Sequence, residues 1–340
     1  MEMEYVRLGR SGLFVSPICL GSMMFGDQTD AKASDRIVRH AREAGINFID
    51  TADQYAGGES EKIVGKCLKG DRDWWVVATK VAVPMSQSPN DRGTGRRYVM
   101  QGVEASLKRL GMDHIDIYYF HRDDLDTPLE ESVGAMADLV RAGKIRYWGF
   151  SNFRAWRLIE AVNVAKAMGA PAPVVCQPYY NSMNRMPEVE LLPACAWHGL
   201  GVVPYSPLAR GILTGKYTPG EKPPKGTRAA RNDKRMMQTE FRKESMVIAQ
   251  KIKARAEKKG MTSIQFAMLW MLNNKLVSSV LAGPRTFEHW QAYMSCLAIR
   301  DKFDAKDEAF LDKLVASGHP STPGYNDPQY PITGRPTRTG

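Results

Sequence analysis

Short apolar runs alternate with longer amphipathic stretches along most of the chain. The apolar runs are the length of buried strands, whereas the longer stretches repeat their apolar residues at helical spacing and often stop at a glycine. The pattern predicts strands at 18–20, 46–50, 76–79, 115–120, 147–150, 174–177, 201–205 and 278–282. It predicts helices at 33–44, 60–68, 98–110, 129–142, 155–168, 189–197, 241–259, 263–273, 286–299 and 306–317.

Eight strands, each followed by a helix, predict the α/β class and a single (β/α)8 TIM barrel. We expect one domain over 1–340, with the barrel at about 16–317 after an N-terminal β-hairpin. A long loop rich in Gly, Pro and basic residues follows strand seven at 206–239, and a tail at 318–340 is expected to be draped on the barrel or partly disordered. The other fold considered is a doubly wound sheet, but no Gly-x-Gly-x-x-Gly follows any predicted strand.

Composition narrows the functional classes. The hydrophobic content of 43% is enough for a full core, and no apolar run approaches the ~20 residues of a membrane helix. With an N-terminus that lacks signal-peptide character, this predicts a cytoplasmic protein without membrane contact. The net charge of +10 is spread along helices among acids, which argues against nucleic acid, and the five cysteines and six histidines show no metal-ligand spacing.

Polar side chains stand at the ends of several predicted strands. Asp50 ends the second, Lys80 the third and His121 the fourth, while Tyr55 lies on the loop after Asp50. In a barrel these ends meet around one pocket, so we predict that the four groups form a catalytic site. Tyrosine titrates near ~10, and an adjacent lysine is expected to lower that pKa so that Tyr55 can protonate an oxyanion.

The remaining strand ends suit a hydride-carrying cofactor, which no side chain can replace. Ser151, Asn152 and Gln177 fit a carboxamide, Tyr205 offers a ring for stacking, and Gly283 with Arg285 fits a phosphate. Each residue also has a structural interpretation: an ordinary Asp50–Lys80 ion pair, a surface tyrosine, a strand-end histidine, or a helix cap at 151–152. Their joint placement favours the site.

At these positions the chain resembles the aldo-keto reductase superfamily, from Arg7 to about Leu297. The matching segments include Gly9-Arg-Ser-Gly-Leu, Phe48-Ile-Asp-Thr-Ala-x-x-Tyr55, Ala78-Thr-Lys80, Gly143-Lys-Ile-Arg-x-x-Gly-x-Ser-Asn-Phe153 and Tyr205-Ser-Pro-Leu-Ala209. The branch looks like bacterial glyceraldehyde-3-phosphate reductases and potassium-channel β subunits.

The resemblance implies the tetrad Asp50, Tyr55, Lys80 and His121, with NADPH (or NADP in the oxidised state) lying across the barrel mouth. It also implies cofactor contacts from Ser206, Pro207, Leu208, Arg210, Lys216 and Arg228, and we add Gly21, Met23 and Met24 at the end of the first strand. Family members often carry Gln, Glu and Asn near the adenosine end, where this chain has His289, Ala292 and Tyr293. Arg285 and His289 are expected to keep that end positive, and two arginines at one phosphate favour NADPH over NADH.

The leading functional hypothesis is reversible, NADPH-dependent reduction of a small aldehyde, ketone or sugar, with Tyr55 as general acid. The alternative is a cofactor-bound regulatory or channel-associated subunit with slow turnover. Met24, Arg96, Arg122 and Tyr179 are further candidates for the pocket wall, and the sequence leaves both the substrate and the oligomeric state open.

Overall fold

The computed structural model describes residues 3–332. Within them, a two-stranded antiparallel hairpin precedes a sheet of eight parallel strands in the order β10-β3-β4-β5-β6-β7-β8-β9. The strands are β1 (Val6–Arg7), β2 (Phe14–Val15), β3 (Ile18–Gly21), β4 (Phe48–Asp50), β5 (Val76–Val81), β6 (Ile115–Phe120), β7 (Ile145–Ser151), β8 (Val175–Gln177), β9 (Gly201–Val202) and β10 (Val280–Ala282).

The sheet closes on itself between its last two strands. The Ser278 amide donates to the Val202 carbonyl at 2.8 Å, and the Leu281 amide donates to the Pro204 carbonyl at 3.0 Å. Closure leaves neither strand with an open edge at this point. The predicted (β/α)8 barrel with an N-terminal hairpin is therefore confirmed.

Helices surround the barrel and cover its outer face with their apolar sides. They are α1 (Ala31–Glu43), α2 (Glu59–Cys67), α3 (Arg96–Leu110), α4 (Leu129–Arg141), α5 (Ala155–Ala167), α6 (Leu191–His198), α7 (Lys234–Thr239), α8 (Lys243–Lys258), α9 (Ser263–Asn273), α10 (Phe287–Met294) and α11 (Ala305–Leu314). None of the helices in the described part of the chain is long and apolar enough to cross a membrane.

Two segments differ from their predicted form. The 206–239 segment, expected to be a loop throughout, contains 3₁₀ turns at Ala209–Thr214 and Ala229–Arg231 and ends in α7. The Asp233 side chain caps α7 by accepting from the Met236 amide at 2.8 Å, which explains why a helix begins there. The helix predicted at 286–299 ends earlier, and a 3₁₀ segment at Ser295–Lys302 follows it.

The described part of the tail, 318–332, lies on the barrel. The Ser321 amide donates to the Met183 carbonyl at 2.8 Å, and the two oxygens of Asp327 accept from Arg235 at 3.0 and 2.6 Å. The first contact binds the tail to the loop after β8, and the second binds it to α7. The rest of the predicted tail, 333–340, lies outside the described residues.

Candidate active site

The two-residue period of a strand decides which side chains enter the barrel. On β5, Val77 and Val81 pack outward against the helices, whereas Val76 and Ala78 belong to the inner core. Lys80 continues the inner row. The same alternation directs Asp50, His121, Ser151 and Gln177 inward at the carboxyl ends of β4, β6, β7 and β8.

Asp50 and Lys80 form an ion pair that is closed to solvent, with exposures of 1% and 0%. The Lys80 ammonium also donates to the Thr51 carbonyl at 2.7 Å, and its nitrogen lies 3.4 Å from the Tyr55 hydroxyl. The second carboxylate oxygen of Asp50 accepts from Gln177 at 2.8 Å. Every charge in this group therefore has a hydrogen-bonded partner, as burial requires.

The charges of the group follow from burial and from each other. Burial raises the pKa of Asp50, although Lys80 lowers it. Burial by itself lowers the pKa of Lys80, but Asp50 and Tyr55 more than reverse this and raise it above its usual value. Burial also raises the pKa of Tyr55 in spite of the lysine, so the expected net lowering was wrong. Tyr55 is accordingly a protonated phenol at neutral pH.

His121 stands beside Tyr55, with ring centroids 5.7 Å apart at 82°. Burial, with the charges of Lys80 and Arg122, holds the pKa of His121 well below its usual range. Its imidazole is therefore neutral at physiological pH. One ring nitrogen, Nδ1, is buried without a hydrogen-bond partner among residues 3–332.

Polar groups at the carboxyl ends of β6, β7 and β9 form a continuous network. The Asn152 amide donates to the His121 carbonyl at 2.8 Å and to Ser151 Oγ at 3.0 Å, and Tyr205 donates to Asn152 Oδ1 at 2.7 Å. Asn152 adopts a left-handed φ of 59°, which asparagine tolerates better than most residues. The helix-cap interpretation is excluded, because Arg154 is the N-cap of α5 and makes no side-chain cap bond.

A cavity of about 1230 Å³ opens over these strand ends. Asp50, Tyr55 and His121 lie in its wall, and Lys80 lies beneath them in contact with both Asp50 and Tyr55. All the residues predicted to contact the cofactor also line it: Gly21, Met23, Met24, Asp50, Ser151, Asn152, Gln177, Tyr205, Ser206, Pro207, Leu208, Arg210, Lys216, Arg228, Gly283, Arg285, His289 and Tyr293. The four predicted catalytic residues and the residues predicted to contact the cofactor therefore lie around the same cavity.

One end of the cavity collects positive charge. Burial lowers the pKa of Lys216, and the charges of Arg285, Arg228 and Arg231 lower it further, so these cations lie close to one another. Burial, Arg285 and Lys216 likewise lower the pKa of His289. His289 is therefore neutral at pH 7, and the expectation that it adds positive charge was wrong.

Other lining residues were not predicted from the sequence. Gln329, Tyr330 and Pro331 of the tail form part of the wall, as does Arg92 of the β5–α3 loop. The Arg154 guanidinium holds the tail there by donating to the Tyr330 carbonyl at 2.6 Å.

Of the further pocket candidates, Met24 and Arg122 line the cavity. Arg96 does not, because its guanidinium pairs with Asp138 at 2.6 Å on the outer helices. Tyr179 does not line the cavity either; its ring centroid lies 5.5 Å from that of Tyr205, which does.

Known proteins are similar to this chain over most of its length. The aldo/keto reductase family model matches residues 17–316. A "probable voltage-gated potassium channel subunit beta" of Arabidopsis thaliana is 38% identical over 94% of this chain and 99% of its own, and a protein of the same name from Oryza sativa subsp. japonica is 39% identical over 83% and 87%. The "uncharacterized oxidoreductase YrpG" of Bacillus subtilis is 38% identical over 92% of this chain and 94% of its own. The family model and these relatives together show that the chain belongs to the aldo/keto reductase family.

Proposed function

We propose that the protein is an NADPH-dependent oxidoreductase that reduces a small aldehyde, ketone or sugar to the alcohol, with Tyr55 as general acid. The observation that supports this most directly is the Tyr55 hydroxyl 3.4 Å from the buried Lys80 ammonium, in the wall of a cavity that His121 shares. A protonated phenol beside a fixed positive charge is suited to give up its proton when negative charge develops on a nearby oxygen.

Each member of the group has a separate task. Neutral His121 donates a hydrogen bond to the carbonyl oxygen and orients it toward the Tyr55 hydroxyl. Tyr55 then transfers its proton to that oxygen, and the Lys80 charge stabilises the phenolate that remains. Asp50 keeps Lys80 charged and directed at Tyr55, while Gln177 occupies the second oxygen of Asp50 and fixes its orientation.

The cavity fits a nicotinamide dinucleotide on two counts. Its volume of about 1230 Å³ exceeds the ~300–1,000 Å³ of ordinary small-molecule pockets, and the cation cluster supplies the charge that phosphates require. When bound, the reduced cofactor supplies the hydride for the carbonyl carbon. Tyr205, Ser151 and Gln177 would hold it at the catalytic end, and Lys216, Arg228 and Arg285 at the other.

The choice of NADPH rests on the guanidinium groups at the adenosine end. A 2′-phosphate is best met by arginines, which bind it bidentately. Arg228 and Arg285 both line the cavity, and the charges of both act on Lys216. The Arg285 guanidinium already donates to the Gly226 carbonyl at 3.0 Å, which directs it toward the loop that contains Arg228.

Steady-state turnover with a panel of aldehydes, ketones and sugars under NADPH tests the proposal. We expect turnover on at least one substrate, and we expect Tyr55→Phe to abolish that turnover.

The names of the plant relatives favour a second candidate, a cofactor-bound channel-associated subunit. Tight cofactor binding without turnover on any substrate above the Tyr55→Phe background would contradict the reductase and support that candidate.

A further inference from the structure

Asp53 is a buried carboxyl group two residues before Tyr55, on the loop between β4 and α2. Its backbone N–H donates to the Lys80 carbonyl at 3.3 Å, so it joins the Tyr55 loop to β5. Its side chain is 1% exposed, and its Oδ1 atom has no hydrogen-bond partner of ordinary geometry within residues 3–332. An ionised carboxylate in this position would lack most of the donors that burial demands.

Arg109, the basic residue whose charge acts on Asp53, forms its ion pair with another acid. Arg109 donates to Glu61 Oε2 at 2.6 Å, and the other oxygen of Glu61 accepts from Thr79 at 2.6 Å. Each oxygen of Glu61 thereby has a hydrogen-bond donor, and its negative charge acts on Asp53. Of the two buried acids, only Asp53 lacks partners for a charge.

A proton count at Tyr98 indicates the state of Asp53. The Tyr98 hydroxyl lies 3.1 Å from the Val83 carbonyl and 3.4 Å from Asp53 Oδ2. The phenol has one proton and both oxygens could accept it; we assign it to the shorter contact, with the Val83 carbonyl, which can only accept. The Tyr98–Asp53 contact then becomes a hydrogen bond only if the carboxyl group carries a proton and donates it to the phenol oxygen.

We propose that Asp53 is protonated in the folded protein and donates its hydrogen bond to Tyr98, which makes it a positioning residue for the Tyr55 loop and for the cavity wall at Val83. Val83 lines the cavity, and Asp53 lies on the loop that presents Tyr55. Loss of the proton would make the Tyr98 hydroxyl turn to the Asp53 carboxylate and release the Val83 carbonyl. The protonation stands on the contacts alone, whereas its effect on catalysis rests on the proposed function.

The electrostatic surroundings agree with this state. Burial raises the pKa of Asp53 to about 7, and Glu61 adds to the increase, against the lowering effects of the Gln54 N–H, Arg109 and Tyr98. The titratable and charged groups that face Asp53 from every packed element are Glu61 on α2, Tyr98 and Arg109 on α3, Lys80 on β5, Tyr118 on β6 and Tyr55 on the same loop.

Infrared difference spectroscopy during a pH titration tests the protonation without any substrate. We expect a protonated-carboxyl band that disappears as the pH rises through about 7. The band should be absent in Asp53→Asn and present in Glu240→Gln, a matched control at another buried acid whose pKa is raised to about 7. An unchanged set of bands in Asp53→Asn would show that Asp53 is ionised and would overturn the proposal.

The kinetic test uses the fact that an asparagine amide donates to Tyr98 as the protonated acid does, at any pH. In the wild type, KM for the carbonyl substrate should rise several-fold as the pH passes about 7, whereas Asp53→Asn should keep the low-pH value throughout. Tyr98→Phe should raise KM at every pH, because it removes the hydrogen bond to Val83. An identical pH dependence of KM in wild type and Asp53→Asn would contradict the positioning role. If the reductase proposal itself fails, the infrared titration still decides the protonation.

Discussion

The ammonium nitrogen of Lys80 lies 3.4 Å from the hydroxyl oxygen of Tyr55; Lys80 is buried, and Tyr55 is half-buried in the cavity wall. The distance is long for a hydrogen bond to a neutral phenol. We expect the two atoms to move closer when the phenol loses its proton, because a phenolate attracts the ammonium more strongly than a phenol does. The pair is therefore arranged to stabilise the state that follows proton transfer.

Removing the Tyr55 hydroxyl should stop proton transfer while leaving the cavity intact. Tyr55→Phe is expected to reduce turnover by at least ~10²-fold, a typical general-acid contribution, with an unchanged cofactor Kd. Steady-state rates and fluorescence titration of the cofactor measure the two quantities. Near-normal turnover would remove Tyr55 from the mechanism.

The buried ion pair makes a stability prediction. Lys80→Met leaves the Asp50 carboxylate without its countercharge, and should reduce the free energy of unfolding by about 3–5 kcal/mol at neutral pH. The double variant Asp50→Asn with Lys80→Met should recover most of the loss, because no charge is then buried. Urea unfolding of the single and double variants compares them, and equal losses in both would mean that packing rather than charge holds this group together.

Cofactor preference depends on Arg285. Arg285→Ala should weaken NADPH by roughly 1.5–3 kcal/mol, the scale of charge-assisted hydrogen bonds, and leave NADH almost unchanged. Arg96→Ala is the matched control, since Arg96 lies outside the cavity and pairs with Asp138. Isothermal titration of the wild type and both variants with NADPH and NADH gives the affinities to compare. Equal losses for NADPH and NADH would show that Arg285 does not bind the 2′-phosphate.

Glu240 gives the fold a pH dependence of its own. Burial raises its pKa from 4.5 to about 7, against Arg242, and its Oε2 has no partner among residues 3–332. The folded state holds this proton more tightly than the unfolded chain, so stability is highest below 4.5 and falls as the pH rises to about 7. Glu240→Gln should therefore stabilise the protein above about 7 by on the order of 3 kcal/mol and have little effect in acid. Thermal unfolding across this range measures it, and a constant difference at all pH values would be inconsistent with the shift.

Loosening the tail should change KM for the carbonyl substrate but not the Kd of NADPH. Asp327→Asn weakens the two-pronged contact with Arg235 and should loosen the wall formed by Tyr330. We expect KM for the carbonyl to increase while the NADPH Kd changes little. A larger change in NADPH affinity than in KM would show that the tail borders the cofactor and not the carbonyl substrate.

Strand positions and the convergence of the polar strand ends were predictable because both depend on local periodicity. The alternation of Val76, Ala78 and Lys80 directs the lysine inward wherever β5 is placed in a closed barrel. The family resemblance then added further residues predicted to contact the cofactor, and these residues line the cavity.

The rest depends on contacts that are distant in sequence. Tyr330 enters the cavity wall because of Arg154 and Arg235, and no periodicity in the tail indicates this. The state of Asp53 follows from Tyr98, 45 positions away in the sequence. Likewise, the sign of the Tyr55 pKa shift depends on whether burial or Lys80 dominates, and burial is known only once the fold is.

The pairing of β3 with β10 has a consequence for synthesis of the chain. Val280 pairs with Ile18, and Ser279 Oγ donates to the Ser16 carbonyl across 263 positions of sequence. During synthesis, the apolar strand β3 emerges long before its partner, so its edge stays open until nearly the whole barrel has been translated. Such distant pairing slows folding and exposes the nascent chain to aggregation in the interval. We therefore expect the nascent chain to depend on chaperones mainly in the interval between the synthesis of β3 and that of β10.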